Sequence, residues 1–406
     1  MTISKSGHEM YLEPDEITLI TVRYPLPFLI AGMVFGAAGL YVLICYLGAP
    51  MQIHSDFIDL YLGQNPAYPP STLLFFRLFS VLPLEIAFAL WSFLSLIFYF
   101  GALWGITNTL RLQLTPVLWV LLIGLSLGWY PFLAHMALGQ VSLLLFASMV
   151  GGWVALRRGR EGLAGVLFGF ATAMKLFPGL TLFYLFMRHH WRALVWASAT
   201  TALGLLLPWG VIQLWMPELN LLGFMGPNSL TYAVYPINLS LTGVISRLLI
   251  DGPWVEPLWS AAYLVPPILL LIALAILGWA GWQYYHLPSD ASGDAFSFAY
   301  NCIAMILLSP ISWQHILPFI WLPLLILLRG QALKASGVAR CLVYVAFLLF
   351  SLPDIEIARM LMEYYAPYRI PRYAAWPFLL PTVGLATLSV ALLLQQRAWW
   401  SRRSSL

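Results

Sequence analysis

The chain has 406 residues, of which 61% are hydrophobic and 9% charged, against about 25% charged in ordinary soluble domains. So few charges cannot cover a soluble surface of this size, and a net charge of +4 spread along the sequence builds no groove for a nucleic-acid backbone. A soluble enzyme, a disordered chain and a nucleic-acid binder are excluded; the composition is that of an all-α polytopic membrane protein.

A spanning helix needs about 20 residues free of charge. In chain order such stretches cover 24–55, 86–110, 112–156, 193–217, 257–289, 295–328 and 373–396. The first lacks a small-residue cleavage site, so it reads as a retained span behind a cytoplasmic tail at 1–26. The stretch 112–156 is long enough for two helices with a turn at PFLAHMALGQ, and 295–328 divides at SPISWQH. A shorter run at 341–353 becomes a span if 336–340 belong to its inner end.

Short cytoplasmic loops are enriched in Lys and Arg. With the N-terminus inside, fourteen of the twenty Lys and Arg fall on the inner side and five on the outer, Lys175 lying between. One segment departs from simple alternation. RRGRE (157–161) and RHHWR (188–192) are both basic, yet only 26 residues separate them, where two full spans need about 40. If both loops are cytoplasmic, the intervening residues enter and return as two short helices. Lys175 then sits at the apex beside Phe177, Pro178 and Gly179, residues that end helices and turn chains. Irregular backbone and a charge at that depth are tolerated only against protein or a wet cavity. The sequence thus predicts about 12 membrane segments, both termini cytoplasmic, outer loops at 49–80 and 213–256, and a second inner tail at 397–406, in the inner (plasma) membrane.

Polar residues kept in an apolar chain point to function. Four clusters fall on the outer side or point toward it: SDFIDLYLGQNPAYPPST (55–72), His135 with Gly139 and Gln140, Lys175, and SPISWQH ending at His315. A further outer loop carries NLSLTGVISR (238–247). An unpaired ammonium among apolar residues costs several kcal/mol, so Lys175 faces water, an anion or an acid; Glu85 is the candidate ion-pair partner. The three cysteines, Cys45, Cys302 and Cys341, form no metal or disulfide pattern. No GxxxxGK[ST] and no GxGxxG opening a helix is present, and Asp56 and Asp59 are spaced DxxD rather than DxD. No nucleotide cofactor and no metal are expected.

Five motifs in order resemble glycosyltransferase family 87: Asp56 after the first span with Tyr68, Pro69 and Pro70; LGQVSLLLF (138–146); GLAGVLFGFATAMKLFPGLTLFYLFMRHHWR (162–192); NLSLTGVISR; and LLSPISWQH (307–315). The resemblance runs from about residue 50 to 320. It implies a GT-C membrane glycosyltransferase with a periplasmic-side active site, which inverts the anomeric carbon as it moves a mannose-like or arabinose-like sugar from a polyprenyl phosphate. The acceptor is a hydroxyl on a lipid or glycan. The partners are that donor, that acceptor and membrane lipids, with no nucleic acid.

Such a transfer needs a base for the acceptor proton and cations for the departing phosphate. Under the resemblance Asp56 is the base, with Asp59, one helical turn away, as the alternative. Lys175, His315 and Arg247 are assigned to the donor phosphate. Gln140, Tyr61, Tyr68 and Asn238 are assigned to substrate binding. A lipid-linked sugar flippase or transporter is the competing class, since broken helices and a membrane lysine serve both. Its usual internal repeat is missing: there is no second AxxKxFP or SDFxD.

Overall fold

The computed structural model describes residues 26–48, 55–63, 68–112, 114–215, 232–332 and 337–403. Most of the expected N-terminal tail, parts of both expected outer loops and the last three residues lie outside the described residues. In order, the α-helices are α1 Leu26–Leu47, α2 Ser55–Leu62, α3 Pro70–Arg77, α4 Leu84–Thr109, α5 Pro116–Gly128, α6 Tyr130–Leu138, α7 Ser142–Arg157, α8 Glu161–Met174 and α9 Leu180–Met187. They continue as α10 Trp191–Trp215, α11 Leu241–Leu249, α12 Val265–His286, α13 Ala291–Leu308, α14 Trp321–Ala332, α15 Gly337–Phe350, α16 Asp354–Tyr365 and α17 Leu380–Arg403. Short 3-10 turns link several of them. Among the described residues there is no strand, and one isolated bridge joins Val255 to Ile370.

Five helices are long and apolar enough to cross a membrane: Leu84–Thr109, Trp191–Leu214, Ala262–His286, Ala291–Leu308 and Trp376–Ser401. Two bent pairs, α5 with α6 at 51° and α15 with α16 at 50°, raise the number to seven if each pair is one span. The chain is a multi-pass membrane protein. The expected count of about twelve includes shorter apolar helices that by length are not full spans, α7, α8 and α9 among them. The segment expected as the first outer loop, 49–80, contains α2 and α3.

The short pair takes the form its spacing predicts. α8 stops at Met174, Lys175 is extended (φ −156°, ψ 131°), and a turn over Phe177–Gly179 leads into α9. A helix ending among apolar residues must satisfy its last carbonyls. The hydroxyls of Ser71 and Thr72, in the first turn of α3, donate to the Ala173 and Met174 carbonyls, so α3 caps α8 from outside. α8 also lies close against α10: a Cβ on Gly169 would stand 2.5 Å from the Ala197 carbonyl oxygen. The two basic loops meet at the other end of the pair, where His190 Nδ1 is 3.2 Å from Glu161 Oε1.

The bundle therefore has two polar ends. One holds the basic loops and the junction between α12 and α13. The other gathers α2, α3, the α6–α7 turn, the Lys175 apex and the SPISWQH turn, with a second small core of Ile237, Val255, Ala358, Ile370 and Phe378 beside them.

Candidate active site

α2 places Asp56 in its first turn, where the helix dipole favours a carboxylate. Phe57 and Leu60 are buried, and the Phe57 ring packs edge-on against Phe76 and Phe88 at 6.0 and 5.3 Å between centroids. With that face turned inward, Asp56 and Asp59 stay partly accessible. The α6–α7 turn reaches them because Gly139 closes α6 in the left-handed conformation, φ +67°. A Cβ there would also lie 2.5 Å from Phe57 Cβ, so only glycine lets this turn meet α2. Trp91 Nε1 fixes the turn by donating to the Gly139 and Gln140 carbonyls at 3.1 and 3.2 Å.

Gln140 is the hinge of the cluster. Its Nε2 donates to Asp56 Oδ2, and its Oε1 accepts from the Tyr68 hydroxyl at 2.6 Å. That assignment suits an ionised carboxylate, which only accepts. Lys175 Nζ sits over the Tyr68 ring, 5.2 Å from its centroid, a cation–π distance. Asp56 and Lys175 therefore flank one tyrosine and interact electrostatically. Among the described residues no ion pair joins Lys175 to Glu85. His315, buried in the turn before α14, has its Nδ1 3.1 Å from Ser142 Oγ at the start of α7, and it too lies within electrostatic reach of Lys175. His135, one turn before Gly139, is fully buried, with Nε2 3.4 Å from Ser95 Oγ and Nδ1 unpartnered.

Burial is the main influence on Asp56 and pushes its carboxyl up to about 6; the Gln140 hydrogen bond and the Lys175 charge pull the other way. Asp59 is raised by burial alone. Burial, reinforced by Asp56, keeps the Tyr68 phenol far above its ordinary value, so it stays a neutral donor to Gln140.

Asp56, Gln140, Tyr68, Lys175 and His315 thus form one cluster, with Asp59 at its edge. Two of the tyrosines assigned to substrate binding have partners within the chain. The Tyr68 ring carries the Lys175 ammonium on its face, and Tyr61 donates its hydroxyl to the Leu82 carbonyl at 2.8 Å while packing near Phe57; neither is placed as an open sugar-stacking ring. Arg247 and Asn238 belong to a neighbouring construction. Arg247 donates to the Tyr235 and Asn238 carbonyls at 3.0 and 2.7 Å and to Phe378 at 3.5 Å. Its burial lowers its pKa to about 9, with Asp354 opposing. Asn238 donates to the Ala233 and Pro310 carbonyls at 3.2 and 3.0 Å and accepts from Ser240 and Ser312. Asn238 ties the 232–240 turn to SPISWQH, and Arg247 ties that turn to α11 and to Phe378, because buried carbonyls in irregular backbone need donors. A mostly apolar cavity of about 180 Å³ lies against Arg247, with Glu256 and Arg372 among its lining.

Trp91 was not singled out in the sequence, and Ser71, Thr72 and Ser142 stood inside quoted motifs without a role of their own. Ser142 carried a usable signal, a hydroxyl directly after the Gly139–Gln140 turn; Trp91 lies inside an apolar span and shows none. Among the described residues no three His, Cys, Asp or Glu side chains gather as a metal site.

The model of glycosyltransferase family 87 matches residues 67–310. A polyprenol-phosphate-mannose-dependent alpha-(1-2)-phosphatidylinositol pentamannoside mannosyltransferase of Mycobacterium tuberculosis (strain CDC 1551 / Oshkosh) is 30% identical over 359 residues, covering 81% of this chain and 74% of the relative. The protein of the same description from Mycolicibacterium smegmatis is 27% identical over 352 residues, covering 81% of this chain and 78% of its own. No solved structure matches. With the family's region spanning α3 to α13, and so the Gln140, Tyr68 and Lys175 parts of the cluster, the chain belongs to glycosyltransferase family 87 and is a membrane glycosyltransferase.

Proposed function

We propose that the chain transfers a mannosyl group from a polyprenyl phosphate to a hydroxyl of a mannosylated lipid, with inversion at the anomeric carbon, at the outer face of the membrane. The observation that carries this reading is that Gln140 bonds both Asp56 and the Tyr68 hydroxyl while the Lys175 ammonium lies over the Tyr68 ring. The relatives are named for a polyprenol-phosphate-mannose donor and a phosphatidylinositol mannoside acceptor, which favours mannose over arabinose.

Gln140 holds Oδ2 of Asp56 and leaves Oδ1 to take the proton of the acceptor hydroxyl. The acceptor oxygen forms its bond to the anomeric carbon as the bond from that carbon to the phosphate oxygen breaks. The electron pair leaves with the phosphate, and Lys175 and His315 stabilise the charge that develops there. One base and one displacement give inversion. Lys175 supplies the positive charge and His315 a hydrogen-bonding imidazole, and the reading calls on no nucleotide or metal. The outer-face reading is supported by the two basic loops, which lie at the opposite end of the short pair from Lys175.

The test is Asp56→Asn in nanodiscs, supplied with polyprenyl-phosphate mannose and a mannosylated phosphatidylinositol. Transfer should fall by about 10²–10⁴-fold, the usual contribution of a positioned base. Wild-type turnover in that variant removes Asp56 from the reaction, and the same loss in Asp59→Asn instead moves the base one turn along α2.

A further inference from the structure

Next to the catalytic cluster, four buried hydrogen-bonding atoms have no partner: Nε1 of Trp254, Nε1 of Trp313, Oε1 of Gln314 and Oδ1 of Asp354. They belong to one neighbourhood. The Tyr235 ring lies 5.2 Å edge-on from Trp254 and 5.7 Å stacked on Trp313. Gln314 Nε2 and the Asp354 amide donate to the same Leu352 carbonyl at 2.7 and 3.0 Å. Arg247 links the two groups, bonded to the Tyr235 carbonyl and within electrostatic reach of Asp354. The row of rings runs on to the reaction centre, since Trp313 is 6.1 Å from His315. Tyr232, 6.4 Å from Trp313, lies within electrostatic reach of Tyr68.

A buried polar atom left unpaired is costly, and four of them lie in this one neighbourhood. Tyr235, Trp254 and Trp313 are also only half-buried, unlike the fully enclosed Trp91, Trp129 and Trp153 of the main core. Two donors and two acceptors match hydroxyl groups, each of which donates and accepts. Half-open aromatic faces match the C–H face of a pyranose.

We propose that Trp313, Tyr235 and Trp254, with Gln314 and Asp354, form a shelf that holds a sugar ring of the acceptor, next to the hydroxyl that Asp56 deprotonates. The shelf rests on the transferase reading above and adds to it the part of the acceptor that is recognised. It explains why Arg247 and Asn238 are committed to backbone: they hold the Tyr235 turn in place.

The test uses the full chain in nanodiscs and methyl α-D-mannopyranoside as probe, titrated by saturation-transfer NMR, beside steady-state kinetics with both substrates. Trp254→Leu should weaken probe binding about 10-fold and raise the acceptor KM by a similar factor, with the donor KM unchanged. Trp254→Phe should recover most of the affinity by restoring a ring. If Trp254→Leu fails to fold by size exclusion, Asp354→Asn decides, with about 5-fold weaker binding expected from one altered hydrogen-bond partner. Unchanged probe affinity in the variant that folds, a rise in donor KM instead, or no probe binding by the wild type would overturn the shelf. Intact probe binding that is lost in Trp254→Leu supports it even if wild-type transfer is absent, in which case the assignment of Asp56 and Lys175 fails separately.

Discussion

The two polar ends of this bundle handle charge in opposite ways. At the end with the basic loops, the charged groups that reach the interior are answered by the protein, although the buried Tyr284 hydroxyl is left without a partner. Asp294 accepts from the Tyr184 hydroxyl at 2.6 Å and from Trp153 Nε1 at 3.2 Å. Arg188 donates to the Tyr284, Leu287 and Pro288 carbonyls at 2.9, 2.7 and 2.8 Å, closing the C-terminus of α12. Arg157 donates to the Ala291 carbonyl and lies over the Trp153 ring. At the Asp56 end the partners run out: Lys175 has a ring face but no ion pair among the described residues, and His135 keeps a bare nitrogen. A polar group saturated by its own chain builds the fold. One left partly open in a half-accessible cluster is available to a substrate.

The largest effect that would break this contrast is at Lys175. Lys175→Met preserves length and apolar packing and removes the charge. Under the proposed function kcat/KM for the donor falls about 10²–10³-fold, the scale of one charge-stabilising group at a leaving oxygen. Folded yield and thermal stability hold or improve, since no ion pair is broken. A loss confined to folded yield would make Lys175 a structural residue like those of the opposite end. Asp294→Ala is the reciprocal experiment. It strands the donors of two fully buried side chains, Tyr184 and Trp153, and should cost about 1–3 kcal/mol, read as a fall in Tm and in membrane abundance. The kcat of the surviving protein should stay within about 2-fold of wild type, because no substrate group is touched. A large drop in kcat with unchanged Tm would mean that the ends do not divide as described.

Much of the functional end was legible in the sequence, and the reason is energetic. A lysine inside an apolar run, between basic loops too close for two spans, forces a short helix pair, and α8, Lys175 and α9 follow it closely. Asp56 stood out because it follows a long apolar run, and Gln140 because Gly139 marks a turn. The partnerships were not legible. Asp56 and Gln140 are 84 residues apart, and no periodicity shows which polar residue meets which across a bundle. α2 was legible only as the helical spacing of Asp56 and Asp59, and α3 not at all, because eight residues each give barely two turns of pattern. Arg247 and Asn238 read as ligand groups because a polar residue near the outer side looks alike in sequence whether it faces a substrate or a bare carbonyl.

The smallest effect is the most discriminating, because it reads the Gln140 bond directly. The reaction needs Asp56 ionised, and burial has moved its carboxyl up to about 6. The rate should therefore rise with pH through about 6 and level off above it. Gln140 lowers that value by donating to the charged form. Gln140→Leu should then carry the rising limb to higher pH by about one unit, with a smaller change in the plateau rate. Lys175→Met should move the limb in the same direction, since its charge also favours the carboxylate. Stability runs the other way. A carboxyl held above its unfolded value of 3.8 means that the folded state binds the extra proton between about 4 and 6, so stability falls as pH rises through that window and is flat beyond it. Asp56→Asn should abolish this slope, raise Tm at neutral pH by a few degrees, and remain inactive. A limb that stays near pH 6 in Gln140→Leu would show that the amide does not tune the base, and the contrast between the two ends would then rest on Lys175 alone.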